Sequence, residues 1–162
     1  DTPLAVHLLT DHPHRLVPDM IAAGADIITV QAEACPHLHN TIHQIKSLGV
    51  KAGVALNPAT PLSSIEYILN ALDLVMILAV DPGYVGMTAF AESKQKVTAL
   101  CKMLKERGLD HIEVQVDGGI KASNIAEYVE AGATAFVAGS AVFNQKASVA
   151  GNIATLRKNA AG

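Results

Sequence analysis

The chain has 162 residues, half of them hydrophobic, with 4% aromatics, no tryptophan and a formal net charge of −3. That length suits one domain with a sizeable aliphatic core. The charge offers no basic surface for nucleic acid, and no apolar run approaches the roughly 18–20 residues of a membrane span.

In chain order the pattern alternates short apolar strands with longer amphipathic stretches. Strand Leu4–Leu8 precedes helix Pro13–Ala23. Strand Asp26–Val30 precedes helix Pro36–Leu48, and strand Lys51–Leu56 precedes helix Leu62–Ala71. Strand Leu74–Val80 runs into a long loop, Asp81-Pro82-Gly83-Tyr84-Val85-Gly86, before helix Ala91–Arg107. Strand Ile112–Val116 precedes helix Ala122–Ala131, and strand Ala135–Val137 precedes helix Ser148–Asn159. Strand–helix alternation implies a parallel sheet with right-handed crossovers.

Strand starts recur at intervals of 22, 25, 23, 38 and 23 residues. That is the rhythm of a (β/α)8 TIM barrel, one domain over residues 1–162. Ala22-Ala23-Gly24-Ala25-Asp26 and Glu130-Ala131-Gly132-Ala133-Thr134 each end a helix on glycine and enter a strand, and Leu48-Gly49-Val50-Lys51 repeats the device. A closed barrel needs eight units, whereas six are visible. The chain also opens at Asp1 without a methionine and enters a strand almost at once. Two βα units are therefore expected upstream. The alternative is an open doubly wound sheet, which ranks second because no glycine-rich nucleotide loop follows the first strand.

Barrel chemistry sits at the C-terminal ends of the strands. There Asp117 ends an apolar strand and is followed by Gly118-Gly119, while Gly139-Ser140 follows the last strand. Loops after the last two strands of such barrels often bind phosphate, because glycines let backbone N–H groups approach an anion and a following helix adds its dipole. The plainer reading makes both pairs tight turns. Gly83 to Gly86 could supply further amides. Asp117 reads as a general base, a metal ligand or both; an Asx-turn or helix cap is the plainer reading. His7 lies within the first strand, either packed or as a ligand across the rim from Asp117. An imidazole plus a carboxylate is half of a divalent metal site, and no other strand end plainly supplies the rest. His39 and His43 stand one turn apart on the second helix and read as a solvated face. Cys35 and Cys101 form no CxxC and read as free thiols of a reducing cytoplasm.

With these residues assembled, the chain resembles the ribulose-phosphate 3-epimerase family. The resemblance rests on Leu4-Ala5-Val6-His7-Leu8, on Ala23-Gly24-Ala25-Asp26-Ile27-Ile28-Thr29-Val30, on Lys51 to Pro61, on Val80-Asp81-Pro82-Gly83, on Val116-Asp117-Gly118-Gly119-Ile120 and on Val137-Ala138-Gly139-Ser140-Ala141-Val142-Phe143. It implies a barrel enzyme of the pentose phosphate pathway, an isomerase interconverting D-ribulose 5-phosphate and D-xylulose 5-phosphate through an ene-diolate. It further implies one divalent metal ion (Zn, Fe, Mn or Co), a phosphorylated ketose substrate and a cytoplasmic homo-oligomer. By position, His7 resembles a metal ligand and substrate contact, and Asp117 a ligand that is also acid/base. Gly83, Tyr84, Val85, Gly86, Gly118, Gly119, Gly139 and Ser140 resemble the substrate and phosphate contacts. The second catalytic Asp and the remaining ligands belong to the two units expected upstream. The chain departs from the pattern at His7-Leu8-Leu9, usually His-Leu-Met; at Val30-Gln31-Ala32-Glu33, usually Val-His-Val-Glu; and at Pro82 to Met87, usually Pro-Gly-Phe-Gly-Gly-Gln. The rivals are a hexulose-phosphate epimerase, an aldol-type barrel enzyme of the same kind, or an inactive partial barrel that only binds sugar phosphate.

Overall fold

A computed structural model describes residues 2–83 and 88–162. Six strands form one parallel sheet in the order of the sequence: β1 (Ala5–Leu8), β2 (Ile27–Gln31), β3 (Lys51–Leu56), β4 (Leu74–Leu78), β5 (Glu113–Asp117) and β6 (Ala135–Val137). The sheet curls into a half-barrel. Sequential order without a switch point is the barrel arrangement, so the doubly wound alternative falls away.

Strand parity separates two apolar layers. Ile28, Val30, Val54, Val75, Ile77, Val114 and Val116 pack with the helices in one large core. These helices are α1 (Val17–Ala22), α2 (Leu38–Ser47), α3 (Ser93–Glu106), α4 (Ile125–Glu130) and α5 (Val149–Ala160). On the opposite, inner face, Ala55, Leu74, Met76 and Leu78 make a small separate cluster. The inner face continues through the register His7–Thr29–Gly53–Leu74–Glu113. Gly53 is needed in that layer for room, since a Cβ there would stand 2.5 Å from the Thr29 hydroxyl.

The repeated Ala-Gly-Ala segments do two jobs. Gly24 and Gly132 take φ of 99° and 105° and close the preceding helix, as expected. The polar residue that follows then ties down the start of the neighbouring strand. Asp26 accepts from the Leu4 amide at 2.7 Å, and Thr134 accepts from the Val114 amide at 3.1 Å. Asp73 repeats the tie on Ala52 at 2.8 Å and also holds Lys46 of α2.

Two expected helices differ. The first is shortened: a 3-10 turn at Pro13–Arg15 is followed by α1, which has Pro18 in its first turn. The helix expected over Leu62–Ala71 is absent. Two 3-10 turns, Leu62–Ser64 and Leu69–Ala71, replace it, with i→i−3 bonds along the segment. Ser63, Ser64 and Asn70 compete for backbone groups, and Ile65 and Ile68 are β-branched. The Glu66 carbonyl, which an α-helix would give to the Asn70 amide, accepts from the Arg107 guanidinium at 3.2 Å. Ile65, Leu69 and Leu72 are still buried.

Candidate functional site

Asp117 closes β5 on the inner face, in register with Leu78 and Val137. It is half-buried, and burial pushes its carboxyl above the usual 3.8. The His7 imidazole and the Gly118 amide act in the opposite direction. The two residues that the sequence placed across a rim thus share one electrostatic environment.

The turn after Asp117 requires its glycines. Gly118 and Gly119 have φ of 108° and 65°. A Cβ on Gly118 would lie 2.6 Å from Val80 Cγ2, and one on Gly119 would lie 2.9 Å from the Ala89 amide nitrogen. Asn124 fastens the turn, accepting from the Lys121 amide at 2.8 Å and donating to the Gly119 carbonyl at 3.0 Å.

The inner rim near His7 carries a network that the sequence did not reveal. His7 Nε2 stands 3.0 Å from Gln31 Oε1. Gln31 Nε2 donates to Asn57 Oδ1 at 2.6 Å and to Glu33 Oε2 at 3.1 Å. Glu33 also accepts from the Asn57 amide at 2.8 Å and from the Thr60 hydroxyl. From α3, Lys96 donates to the carbonyls of Asn57, Pro58 and Thr60 at 2.7, 3.3 and 2.6 Å. Burial holds the Lys96 ammonium below its usual range, and Glu33 counteracts this. The ends of β2 and β3 therefore place amide and carboxylate groups near His7, without completing a set of metal ligands among the described residues. The available signal was their position, immediately at two adjacent strand ends.

Gln31, Glu33 and Asn57 line an open cleft of about 420 Å³ with Leu9, Thr10, Asp11, Pro82 and Gly83, and neither His7 nor Asp117 is among its lining residues. Tyr84, Val85 and Gly86 lie outside the described residues. Ser140 lines a different hollow, about 600 Å³, with Lys121, Ser123 and Lys146. The helices expected from Ala122 and Ser148 after these glycine pairs start three residues and one residue later. α4 begins at Ile125 and α5 at Val149, after hydrogen-bonded turns. In the second loop Asn144 donates to the carbonyls of Ser140 and Ala141 at 3.0 Å, holding a turn rather than a helix.

His7 and Asp117 offer one imidazole nitrogen and one carboxylate toward a divalent ion. Among the described residues no three His, Cys, Asp or Glu side chains converge on one point. His39 and His43 are exposed on α2, as expected of a solvated face.

The model of the ribulose-phosphate 3-epimerase family matches residues 1–143, through both β5–Asp117 and Gly139-Ser140. The chain belongs to that family. It is 51% identical over 148 residues to the chloroplastic ribulose-5-phosphate-3-epimerase of Arabidopsis thaliana, covering 90% of this chain and 52% of that protein. It is 46% identical to the ribulose-phosphate 3-epimerase of Bacillus subtilis, covering 90% and 67%, and 44% identical to that of Escherichia coli K12, covering 88% and 63%. The chain thus spans about half to two thirds of these relatives. Among solved structures, 3-keto-L-gulonate-6-phosphate decarboxylase from Vibrio cholerae superposes with a TM-score of 0.72 at 21% identity, over 98% of this chain and 72% of that one. The protein KGPDC from Streptococcus mutans superposes at 0.72 and 16%, over 99% and 73%. At these identities the likeness concerns the barrel fold. Among the described residues no helix is long and apolar enough to cross a membrane.

Proposed function

We propose that this protein is a metal-dependent 3-epimerase of a phosphorylated ketose, interconverting D-ribulose 5-phosphate and D-xylulose 5-phosphate through an ene-diolate. The observation that carries the reading is Asp117: a carboxyl at a strand end of a family barrel, pushed up by burial and facing the influence of His7. A raised carboxyl is a better base when ionised and keeps its proton more readily once it has taken one. Asp117 removes the C3 proton from one face of the sugar and returns a proton there in the reverse direction. Inversion also needs a second acid/base on the opposite face, so Asp117 is one of two.

His7 and Asp117 would hold one divalent ion, and Zn, Fe, Mn or Co suits that donor pair. Such an ion, when bound, offsets negative charge developing on the substrate oxygens. The phosphate is assigned to the amides of Gly83, Gly118, Gly119, Gly139 and Ser140, with Tyr84, Val85 and Gly86 completing the first of these loops. Gly139 supports this assignment. Its φ is not positive and a Cβ there would meet nothing within 4 Å among the described residues, so those residues do not require glycine at that position. The strands β1 and β6 each pair on one side only among the described residues. Cys35 and Cys101 are free thiols, which suits a reducing cytoplasm.

The test is exchange of the C3 hydrogen of D-ribulose 5-phosphate and D-xylulose 5-phosphate with solvent deuterium, with added Mn, Fe, Co or Zn. Exchange that Asp117→Asn abolishes is expected, with net epimerisation where the opposite acid/base is present. Release of formaldehyde from a 3-hexulose 6-phosphate, or no exchange from either pentulose epimer, refutes the reading in favour of aldol chemistry or of binding alone.

A further inference from the structure

We propose that Gln31 is a positioning residue that fixes the tautomer of His7, holding the proton on Nε2 and leaving Nδ1 as the ring nitrogen with a free lone pair. The inference rests on the reading that His7 works at the reaction centre. Its physical basis is independent of that reading.

Gln31 ends β2, beside His7 on β1, and lies on the inner face two residues beyond Thr29, the register partner of His7. It is 5% exposed, so its amide needs internal partners. Three are present: Glu33 Oε2 at 3.1 Å and Asn57 Oδ1 at 2.6 Å on one end, His7 Nε2 at 3.0 Å on the other. The two ends of an amide differ only in which can donate, and the partners decide this. A carboxylate only accepts, so the end facing Glu33 is the NH2 group. The end facing His7 is then the carbonyl oxygen, which only accepts. His7 Nε2 must donate, and in the neutral ring the lone pair falls to Nδ1.

Rotating the amide would set its oxygen against a carboxylate oxygen and against Asn57 Oδ1, with no proton between them. Glu33, although exposed, is tethered in this position. The Asn57 amide and the Thr60 hydroxyl hold it, and Lys96 holds the carbonyls of Asn57, Pro58 and Thr60. The constraint therefore runs from α3 through the β3 loop to Glu33, then Gln31, then His7. A histidine at position 31, the residue usual in the pattern that this chain resembles, has two tautomers of its own and could donate or accept. The pinned amide has one option.

The test reads the ring nitrogens of His7 by long-range 1H–15N correlation at about pH 8, where an imidazole is neutral, with His7→Asn to assign the signals. The expected result is a protonated Nε2 whose proton exchanges slowly with water. Gln31→Met keeps length and apolar packing but offers no acceptor, and should speed that exchange by about fivefold or more, the protection that one net hydrogen bond provides. Glu33→Gln leaves Gln31 in place but lets its amide take either orientation, and should also speed the exchange. A structural role for Glu33 confined to the loop would leave the His7 proton unaffected. A proton found on Nδ1 in the unaltered protein overturns the proposal, and so does unchanged exchange in Gln31→Met. If Gln31→Met fails to fold, the unaltered protein and Glu33→Gln decide it. None of these readings involves turnover. A protein with the Nε2 proton but no C3 exchange refutes the epimerase reading alone, and C3 exchange with the proton on Nδ1 refutes this proposal alone.

Discussion

Gly118→Ala would separate two costs at the turn that follows Asp117. The first is conformational. Gly118 has φ of 108°, and a residue with a Cβ at positive φ costs about 1–2 kcal/mol more than glycine. The second is steric. The new Cβ would stand 2.6 Å from Val80 Cγ2 and 3.1 Å from the Val80 amide nitrogen. Forcing a methyl into such a site costs about 1–3 kcal/mol, so the substitution should destabilise by about 2–5 kcal/mol in all. The side-chain clash can be relieved and the backbone cost cannot. Val80→Ala removes Cγ2 but leaves the Val80 amide nitrogen, so in a double-mutant cycle by urea unfolding it should recover at most the steric share of about 1–3 kcal/mol. A loss below about 1 kcal/mol for the single substitution would refute the reasoning. So would an additive cycle, or complete recovery in the double mutant. A second readout follows from the same turn. The Gly118 amide helps to stabilise the charged Asp117 carboxyl. Displacing it should move the acidic limb of the C3-exchange pH profile to higher pH.

Asp117→Asn should lower C3 exchange by about 10²–10⁴-fold, the usual worth of a positioned acid/base, with the fold intact by circular dichroism. The same variant tests the linkage. A carboxyl raised in the folded state contributes stability that is present below its unfolded pKa and lost as pH rises through the folded one. Urea unfolding from about pH 3 upward should therefore show Asp117→Asn gaining on the unaltered protein as pH climbs from below the usual 3.8 through the raised value, and parallel curves would contradict this. Lys96→Met removes the ammonium bridging three carbonyls and should cost about 1–3 kcal/mol, with faster amide exchange at Asn57 and Thr60. Burial pushes the thiols of Cys35 and Cys101 up, so both should alkylate far more slowly in the folded protein than in urea.

The sequence alone determined what depends on local period and on glycine. Short aliphatic runs alternating with amphipathic stretches read as strands of a parallel sheet, and the segments between them cross over on one side. All six strands therefore formed where the pattern placed them, with ends shifted by at most two residues. Gly24 and Gly132 closed their helices, because helix termination is decided within a few residues. Asp117 was legible for the same reason: a lone carboxylate ends an apolar strand and two glycines follow.

Tertiary structure decided what depends on partners far apart in the chain. Over Leu62–Ala71 weak local helix preference left the backbone open to outside partners, and Arg107, 41 residues beyond Glu66, takes a carbonyl that a helix would have used. The surroundings of His7 were set by contacts 24 and 26 residues apart, His7 with Gln31 and Gln31 with Asn57, and by Lys96 reaching 39 residues back to Asn57. Nothing in the spacing of Gln31, Glu33 and Asn57 marks them as a unit. They become one because parallel pairing brings the ends of β1, β2 and β3 to the same rim, where the buried Gln31 amide must find partners among its neighbours.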